Sequence, residues 1–272
     1  MKIIAVTNRK GGVGKSTMAS HIAAGMATLG YNVALVDTDS QGHAALMLGM
    51  PHEDGLYHAM IEKVPLNQVV RPVPPERYSN EDQPSQGNLY LLPSAERTYR
   101  VPFELGQDET FLFLDMMEAL AQDLSLHAVI IDTNPTLSMF DGAVYLATDG
   151  FVYVTECEAL SLDGVQDAIA QMQRFAQQRI KYLGRETRVL GIIPNKMRPR
   201  TMVHRHNISA LARQFPNLVW PPVTLRVGWV ECSNLGEMVY NYAPTGQEAR
   251  DAWEITRRTM QELESWEAEK TD

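Results

Sequence analysis

One short segment constrains this chain more than any other. Lys10-Gly11-Gly12-Val13-Gly14-Lys15-Ser16-Thr17 lies between an apolar strand-like run, Ile3–Thr7, and an apolar-periodic helical stretch, Ser16–Leu29. The glycines let consecutive backbone N–H groups turn inward around a chain of phosphates, and the helix N-terminus adds its positive dipole end and unpaired donors. In such a unit Lys15 reaches the β and γ phosphates and the Ser16 hydroxyl ligates Mg²⁺, so Gly11, Gly12, Val13, Gly14, Lys15, Ser16 and Thr17 form the expected nucleotide-binding set. A glycine-rich loop alone is often only a turn. The strand before it, the terminal Gly-Lys-Ser-Thr and the helix after it make this one specific.

Beyond the loop, short runs rich in Val, Ile and Leu alternate with longer helical stretches, the pattern of βαβ units around a mainly parallel sheet. Strands are expected near Ile3–Thr7, Val33–Asp37, Leu89–Leu92, Ala128–Asp132, Gly150–Val154 and Val189–Ile193. Helices are expected near Ser16–Leu29, Thr110–Ala121, Leu160–Gln178, Val203–Gln214 and Gly246–Glu264. The fold class is α/β, a mainly parallel twisted sheet flanked by helices, as in P-loop NTPases. Residues 1–272 read as one domain, with a surface loop at Arg71–Gly87 rich in Pro, Gly and polar residues. With 44% hydrophobic residues the chain can fill a core, and Cys157 and Cys232 are too few and too far apart for a disulfide framework or paired metal motif. Met1–Thr7 carries no basic leader, and no window approaches the roughly 18 apolar residues of a membrane span. The expectation is a soluble cytoplasmic protein.

Mg²⁺ prefers octahedral oxygen coordination and keeps waters, so a carboxylate is expected at a neighbouring strand end. The run Ala128-Val129-Ile130-Ile131 ends in Asp132, as a Walker B strand does. A second strand ends in Asp37-Thr38-Asp39, whose alternate acids face the same crevice. Asp37 is read as supporting the metal with Ser16 and Asp132, and Asp39 as the carboxylate that orients the attacking water. With Lys15, Asp39 forms the expected catalytic set for nucleoside triphosphate hydrolysis. At the far end of the sheet, Pro194-Asn195-Lys196-Met197-Arg198 begins like the Asn-Lys-x-Asp segment that reads guanine, but Arg198 replaces the carboxylate. An Asn195 amide suits adenine's amino group and ring nitrogen, so ATP is expected; Asn195 as a simple turn cap is the alternative.

These residues resemble the ParA/MinD group of deviant Walker A ATPases, and the resemblance covers nearly the whole chain. Its distinguishing residue is Lys10, a second lysine at the start of the loop. The stretch Asp37-Thr38-Asp39-Ser40-Gln41-Gly42-His43-Ala44 is similar to D-x-D-P-Q-G-N-A, and Ile130-Ile131-Asp132-Thr133-Asn134-Pro135-Thr136-Leu137 to I-I-D-T-P-P-S-L. Glu156-Cys157-Glu158-Ala159-Leu160-Ser161-Leu162-Asp163-Gly164 is similar to Q-C-E-Y-F-A-L-E-G. Ser40 and Asn134 stand where prolines are usual, so both segments lack the φ restriction a proline imposes. Glu231-Cys232-Ser233-Asn234-Leu235-Gly236 matches the family's E-A-P-S-x-G only in part, and the adenine contacts of that segment are not carried over. The resemblance implies a homodimer on ATP binding, in which Lys10 of each subunit contacts phosphates held by the other, and so adds Lys10 to the expected catalytic set.

The net charge of −9 conceals a segregated pattern. Residues 174–226 hold 11 Lys+Arg against the single acid Glu186, a local charge of +10, while the rest of the chain is acidic. The resemblance implies non-specific DNA binding, for which Arg198, Arg200, Arg205 and Arg226, with Arg213, His204 and His206, are candidates, since arginine pairs with phosphate bidentately. It further implies partition of plasmid or chromosomal DNA with a ParB-like partner, on the nucleoid. Positioning of a protein cargo, such as a microcompartment or chemosensory cluster, is the alternative. A membrane-bound MinD-like role fits less well, because the chain given ends in acidic Glu264-Ser265-Trp266-Glu267-Ala268-Glu269-Lys270-Thr271-Asp272, which anionic lipid repels. A nitrogenase-reductase-like role needs cluster-binding thiolates and also fits less well. An operator-binding helix-turn-helix segment ahead of the first strand is not expected. If Lys10 acts across the interface, Lys10→Ala will bind ATP yet sediment as a monomer; an unaltered ATP-dependent dimer refutes that role.

Overall fold

A computed structural model describes residues 1–106, 109–135, 139–158 and 160–269, with the backbone alone at 139 and 160–163. Among them, seven strands form one sheet: β1 (Lys2–Thr7), β2 (Val33–Asp37), β3 (Arg71–Pro72), β4 (Leu89–Leu92), β5 (Ala128–Asp132), β6 (Gly150–Glu156) and β7 (Arg188–Asn195). Their order is β3-β4-β2-β5-β1-β6-β7, and every pairing is parallel except that of the short edge strand β3 with β4. The helices are α1 (Lys15–Thr28), α2 (His43–Met47), α3 (Gly55–Met60), α4 (Leu66–Val69), α5 (Val101–Glu104), α6 (Leu112–Asp123), α7 (Met139–Ala147), α8 (Leu160–Leu183), α9 (Met202–Gln214), α10 (Gly228–Leu235), α11 (Val239–Tyr242) and α12 (Gln247–Ala268).

The central strands are apolar along their length because both faces are covered. Ile4 and Val6 of β1 point into a core shared with α1, α2 and α12, whereas Ile3 and Ala5 point into a core with α3, α6, α7 and α8. Helix α1 is buried nearly all round from Met18 to Thr28, and its small residues let α12 come close. A Cβ on Gly25 would sit 2.6 Å from Thr256 Oγ1 and 2.7 Å from the Tyr240 hydroxyl, so only glycine fits there. Trp266 and Leu263 of α12 are buried in this core, with Trp253 and Met260 partly covered beside them.

The expected strands and helices are present, three of the strands with the expected ends and the other ends moved by at most five residues; α8, for instance, runs on to Leu183. The 71–87 segment is tied down more than a surface loop would be. It contains β3 and a 3₁₀ turn at Pro75–Arg77, and Tyr78 is buried. Ser85 Oγ donates to the Ala27 carbonyl (3.1 Å), Asn80 Nδ2 to that of Tyr240 (2.7 Å), and the Met238 N–H to that of Arg77 (2.8 Å). Proline and glycine count hid these anchors, because each depends on a distant partner. The short helices α2–α5, α7, α10 and α11 also went unread, being too short to show a period. Thr136, Leu137 and Ala159 of the quoted motifs, and residues 270–272, lie outside the described residues.

His21, fully buried on α1, joins the loop helix to α11. Its Nδ1 lies 2.7 Å from the Thr17 carbonyl, and its Nε2 accepts the Val239 N–H at 3.2 Å. It packs edge-on against Trp229 with ring centroids 5.0 Å apart. Burial pushes this imidazole down to about 4, against the opposing pull of the Thr17 carbonyl. The unfolded chain therefore takes up this proton first as pH falls below the ordinary value near 6.5, and stability is lost between there and about 4. Chemical denaturation should show about 3 kcal/mol of pH-dependent destabilisation by pH 4 that is missing from His21→Gln. Equal pH dependence in both proteins excludes His21 as its source.

Candidate active site

The C-terminal edge of the parallel strands gathers the polar tips of five of them around the glycine loop, the crevice where open α/β sheets bind ligands. Gly12 and Gly14 have φ of +73° and +98°, a backbone shape that favours glycine, and Gly14 caps α1. A Cβ on Gly14 would also lie 2.3 Å from Asn195 Nδ2. Two consecutive residues at the tip of β7 clasp two consecutive loop carbonyls. Asn195 Nδ2 donates to Val13 O at 2.7 Å, and Lys196 Nζ donates to Gly12 O at 2.5 Å. Asn195 Oδ1 accepts the Lys196 N–H at 2.8 Å, and Lys196 adopts φ +55°. Asn195 is thus buried and engaged by the protein at both ends of its amide. The tight approach of β7 to the loop makes the amide a support of the phosphate cradle, with one N–H and one lone pair of the amide left over.

The carboxylates meet because β2 and β5 are register neighbours: Asp37 is the Cα partner of Asp132. Both are fully buried. Asp37 is occupied in shaping the next turn, with Oδ1 accepting the Asp39 N–H (2.9 Å) and Oδ2 the Ala44 N–H (3.1 Å). Neither oxygen of Asp132 finds a hydrogen-bond donor among the described residues. Burial raises the Asp132 carboxyl to about 7, opposed by the Ser16 hydroxyl and by Lys15. Burial, with Asp132 beside it, holds Asp37 well above the usual carboxylate range. Lys15 is itself buried, and desolvation pulls its ammonium down against the attraction of Asp132 and Asp39. A pair of buried acids facing one lysine, with an unpartnered carboxylate aimed into the cradle, is short of positive charge. Ser16 and Asp132, backed by Asp37, therefore fit Mg²⁺, which when bound neutralises charge on the phosphates.

Asp39 is half-exposed. Its Oδ1 accepts the Gln41 N–H at 3.0 Å, and its carbonyl accepts both the Gly42 N–H (2.9 Å) and the hydroxyl of Ser94. Ser94, wholly buried at the end of β4, thus fixes the backbone of Asp39 from outside the motif. Lys10 stands half-exposed at the loop entrance, its Nζ 2.5 Å from Glu156 Oε2. Neither cysteine suits a metal cluster: burial pushes Cys157 up to about 12 and Cys232 to about 11, and no metal-holding group of His, Cys, Asp and Glu occurs among the described residues.

An AAA domain family model matches residues 1–183. The chain is 30% identical over 258 residues to the chromosome-partitioning ATPase Soj of Thermus thermophilus, covering 94% of each protein. It belongs to the ParA/MinD family of P-loop ATPases. In fold it is similar to the Cyanothece McdA–ATP complex, with TM-score 0.76, 16% identity and 97% and 96% of the two chains covered. It is likewise similar to Pyrococcus horikoshii MinD with Mg-ADP, with TM-score 0.73, 17% identity and 95% of each chain covered. As a ParA/MinD ATPase the chain uses ATP and Mg²⁺, and the chemistry of its loop, Lys15, Ser16 and Asp132 fits them.

Four cations of the basic window are spent inside the protein. Arg179 is buried against Asp149 (2.5 Å) and the Glu186 carbonyl (2.7 Å), Arg185 pairs with Glu118, Arg188 with Glu269, and Lys196 with Glu156. Arg198, Arg200, Arg205, Arg213 and Arg226 are exposed and make no ion pair among the described residues. A parallel bridge between Met197 and Thr224 runs the segment carrying Arg226 beside the one carrying Arg198. Sequence reading missed Glu156, Lys196 and Ser94 as contributors to the site. Only the first two lay in segments already singled out, and nothing local marked Ser94.

Asp132→Asn should fold and melt no earlier than the parent without nucleotide, because it removes a buried charge. Added Mg-ATP should raise the melting temperature of the parent and not of the variant. ATP hydrolysis should fall roughly 100-fold, the scale of losing one charge-positioning group. Wild-type stabilisation by Mg-ATP in the variant removes Asp132 from the metal site.

Proposed function

We propose that this ATPase dimerises on ATP, binds DNA without sequence preference in that state, and drives partition of plasmid or chromosomal DNA on the nucleoid with a ParB-like activating partner. The observation that carries the reading is the unpaired set Arg198, Arg200, Arg205 and Arg226, exposed together on the β7–α9 turn, α9 and the segment before α10. Four other cations of the window, Arg179, Arg185, Arg188 and Lys196, satisfy acids of the fold, whereas these are exposed. Arginine spacing on irregular turns suits a phosphate backbone and no base code, which supports non-specific contact. Similarity to a chromosome-partitioning ATPase over nearly the full length of both proteins supports the same reading.

In the proposed reaction Lys15 and the loop N–H groups hold the β and γ phosphates, Asp39 orients the attacking water, and Lys10 adds charge to the partner's phosphates. Each ATP brings roughly four negative charges, so a cation supplied across the interface makes the dimer depend on ATP. Duplication of the arginine set in that dimer doubles the charge facing DNA, while the acidic remainder keeps a lone subunit weakly attracted.

DNA binding measured with ATP, ADP and no nucleotide should be strong only with ATP. Neutralising about six phosphates gives a log–log salt slope of roughly −5. Arg198→Ala with Arg226→Ala should weaken all sequences alike and flatten the slope by about 2 per subunit. Binding insensitive to both salt and nucleotide rejects this function.

A further inference from the structure

Glu156, at the C-terminal tip of β6, has only 18% of its side chain exposed and divides its carboxylate between two lysines. Oε2 takes Lys10 Nζ at 2.5 Å, and Oε1 takes Lys196 Nζ at 2.9 Å. Lys196 in turn reaches Gly12 O, so Glu156 is fastened to the rim of the phosphate cradle. The hydrogen bond to Glu156 raises the Lys10 ammonium, and both lysines hold the carboxyl below its usual range against the effect of burial. The pair is therefore ionic at neutral pH. Within one chain, the lysine expected to reach a second subunit is already engaged.

We propose that Glu156 is a positioning residue that keeps Lys10 on its own subunit, so that pairing with a second copy of this chain requires Lys10 to exchange Glu156 for the partner's phosphates. This rests on the cross-subunit reading of Lys10. Lys10 cannot bring the carboxylate along, because Glu156 beside a triphosphate is a like-charge contact in a partly desolvated interface. The ion pair has to break. Its loss does not strand Glu156, since Lys196 remains on Oε1 and is itself held by the Gly12 carbonyl. The exchange is also of workable size. Lys10 is half-exposed, and pairs of that kind shift an equilibrium by only about 1.5- to 5-fold. A triphosphate outcompetes such a contact, and a diphosphate, with less charge, does so less well. The latch thus adds to the preference of the dimer for ATP over ADP.

The test is sedimentation velocity on the full chain titrated with Mg-ATP, with thermal melting to confirm that each variant folds. Glu156→Gln keeps the shape and removes the charge, and should lower the ATP concentration for half-dimerisation about 2- to 5-fold. Glu156→Ala should move it the same way. In a Lys10→Ala background, where nothing is latched, adding Glu156→Gln should leave the oligomeric state unchanged. A midpoint that stays put or rises in both Glu156 variants overturns the latch. If Lys10→Ala dimerises as the parent does, the cross-subunit reading itself falls, a distinct result that also removes the proposal.

Discussion

Two carbonyls at the crown of the glycine loop are held from outside, and the phosphate cradle depends on that hold. A trans peptide sets its C=O and N–H on opposite sides. Drawing Gly12 O toward Lys196 and Val13 O toward Asn195 therefore turns the N–H groups of Val13 and Gly14 the other way, into the loop. The positive φ of Gly12 and Gly14 lets the backbone accept this shape. Lys196 adopts a left-handed conformation that is strained for its side chain, and its contacts at both ends hold it there. The clasp exists only because β7 joins the sheet two strands from β1, so its tip arrives beside the loop that β1 feeds.

Register does for charge what the clasp does for backbone. The parallel pairing of β2 and β5 puts Asp37 and Asp132 side by side in a dry place, where two carboxylates oppose each other and burial opposes both. Asp37 is reconciled to its position by two backbone N–H groups, which also fix the turn carrying Asp39. Asp132 has no such donor, and that asymmetry separates a residue that shapes the next turn from one whose carboxylate the fold leaves unmet. His21 ties the same loop helix to α11 by uncharged hydrogen bonds, so the nucleotide end of α1 and the packing of the C-terminal helices are mechanically continuous.

The basic window shows how charge along a chain differs from charge in space. Along the sequence, 11 cations accompany one acid. In the fold, Asp149, Glu118, Glu269 and Glu156 arrive from elsewhere and neutralise four of them. What remains is a smaller set that includes Arg198 and Arg226, whose segments the Met197–Thr224 bridge runs side by side. The buried Arg179 shows this most clearly: counted in the +10 along the chain, it is in the fold a tether between α8 and Asp149, whose other oxygen accepts the Ile3 N–H.

What the sequence determined by itself is everything that depends on near neighbours. The strand, glycine loop and helix at residues 2–28, the alternating βα order and the acids at strand ends are local patterns, and the motif of eight residues carries its phosphate chemistry within it. Tertiary structure alone decided which distant groups meet: Asp37 with Asp132, Ser94 with Asp39, Asn195 and Lys196 with the loop carbonyls, and Glu156 with Lys10. The physical reason is that hydrogen bonds and ion pairs act over a few ångströms, and these partners lie 55 to 184 positions apart along the chain, apart from any signal a local window can hold. Asn195 is the plainest case. Its neighbours in sequence suggest a base reader, and only the fold brings its amide to the Val13 carbonyl.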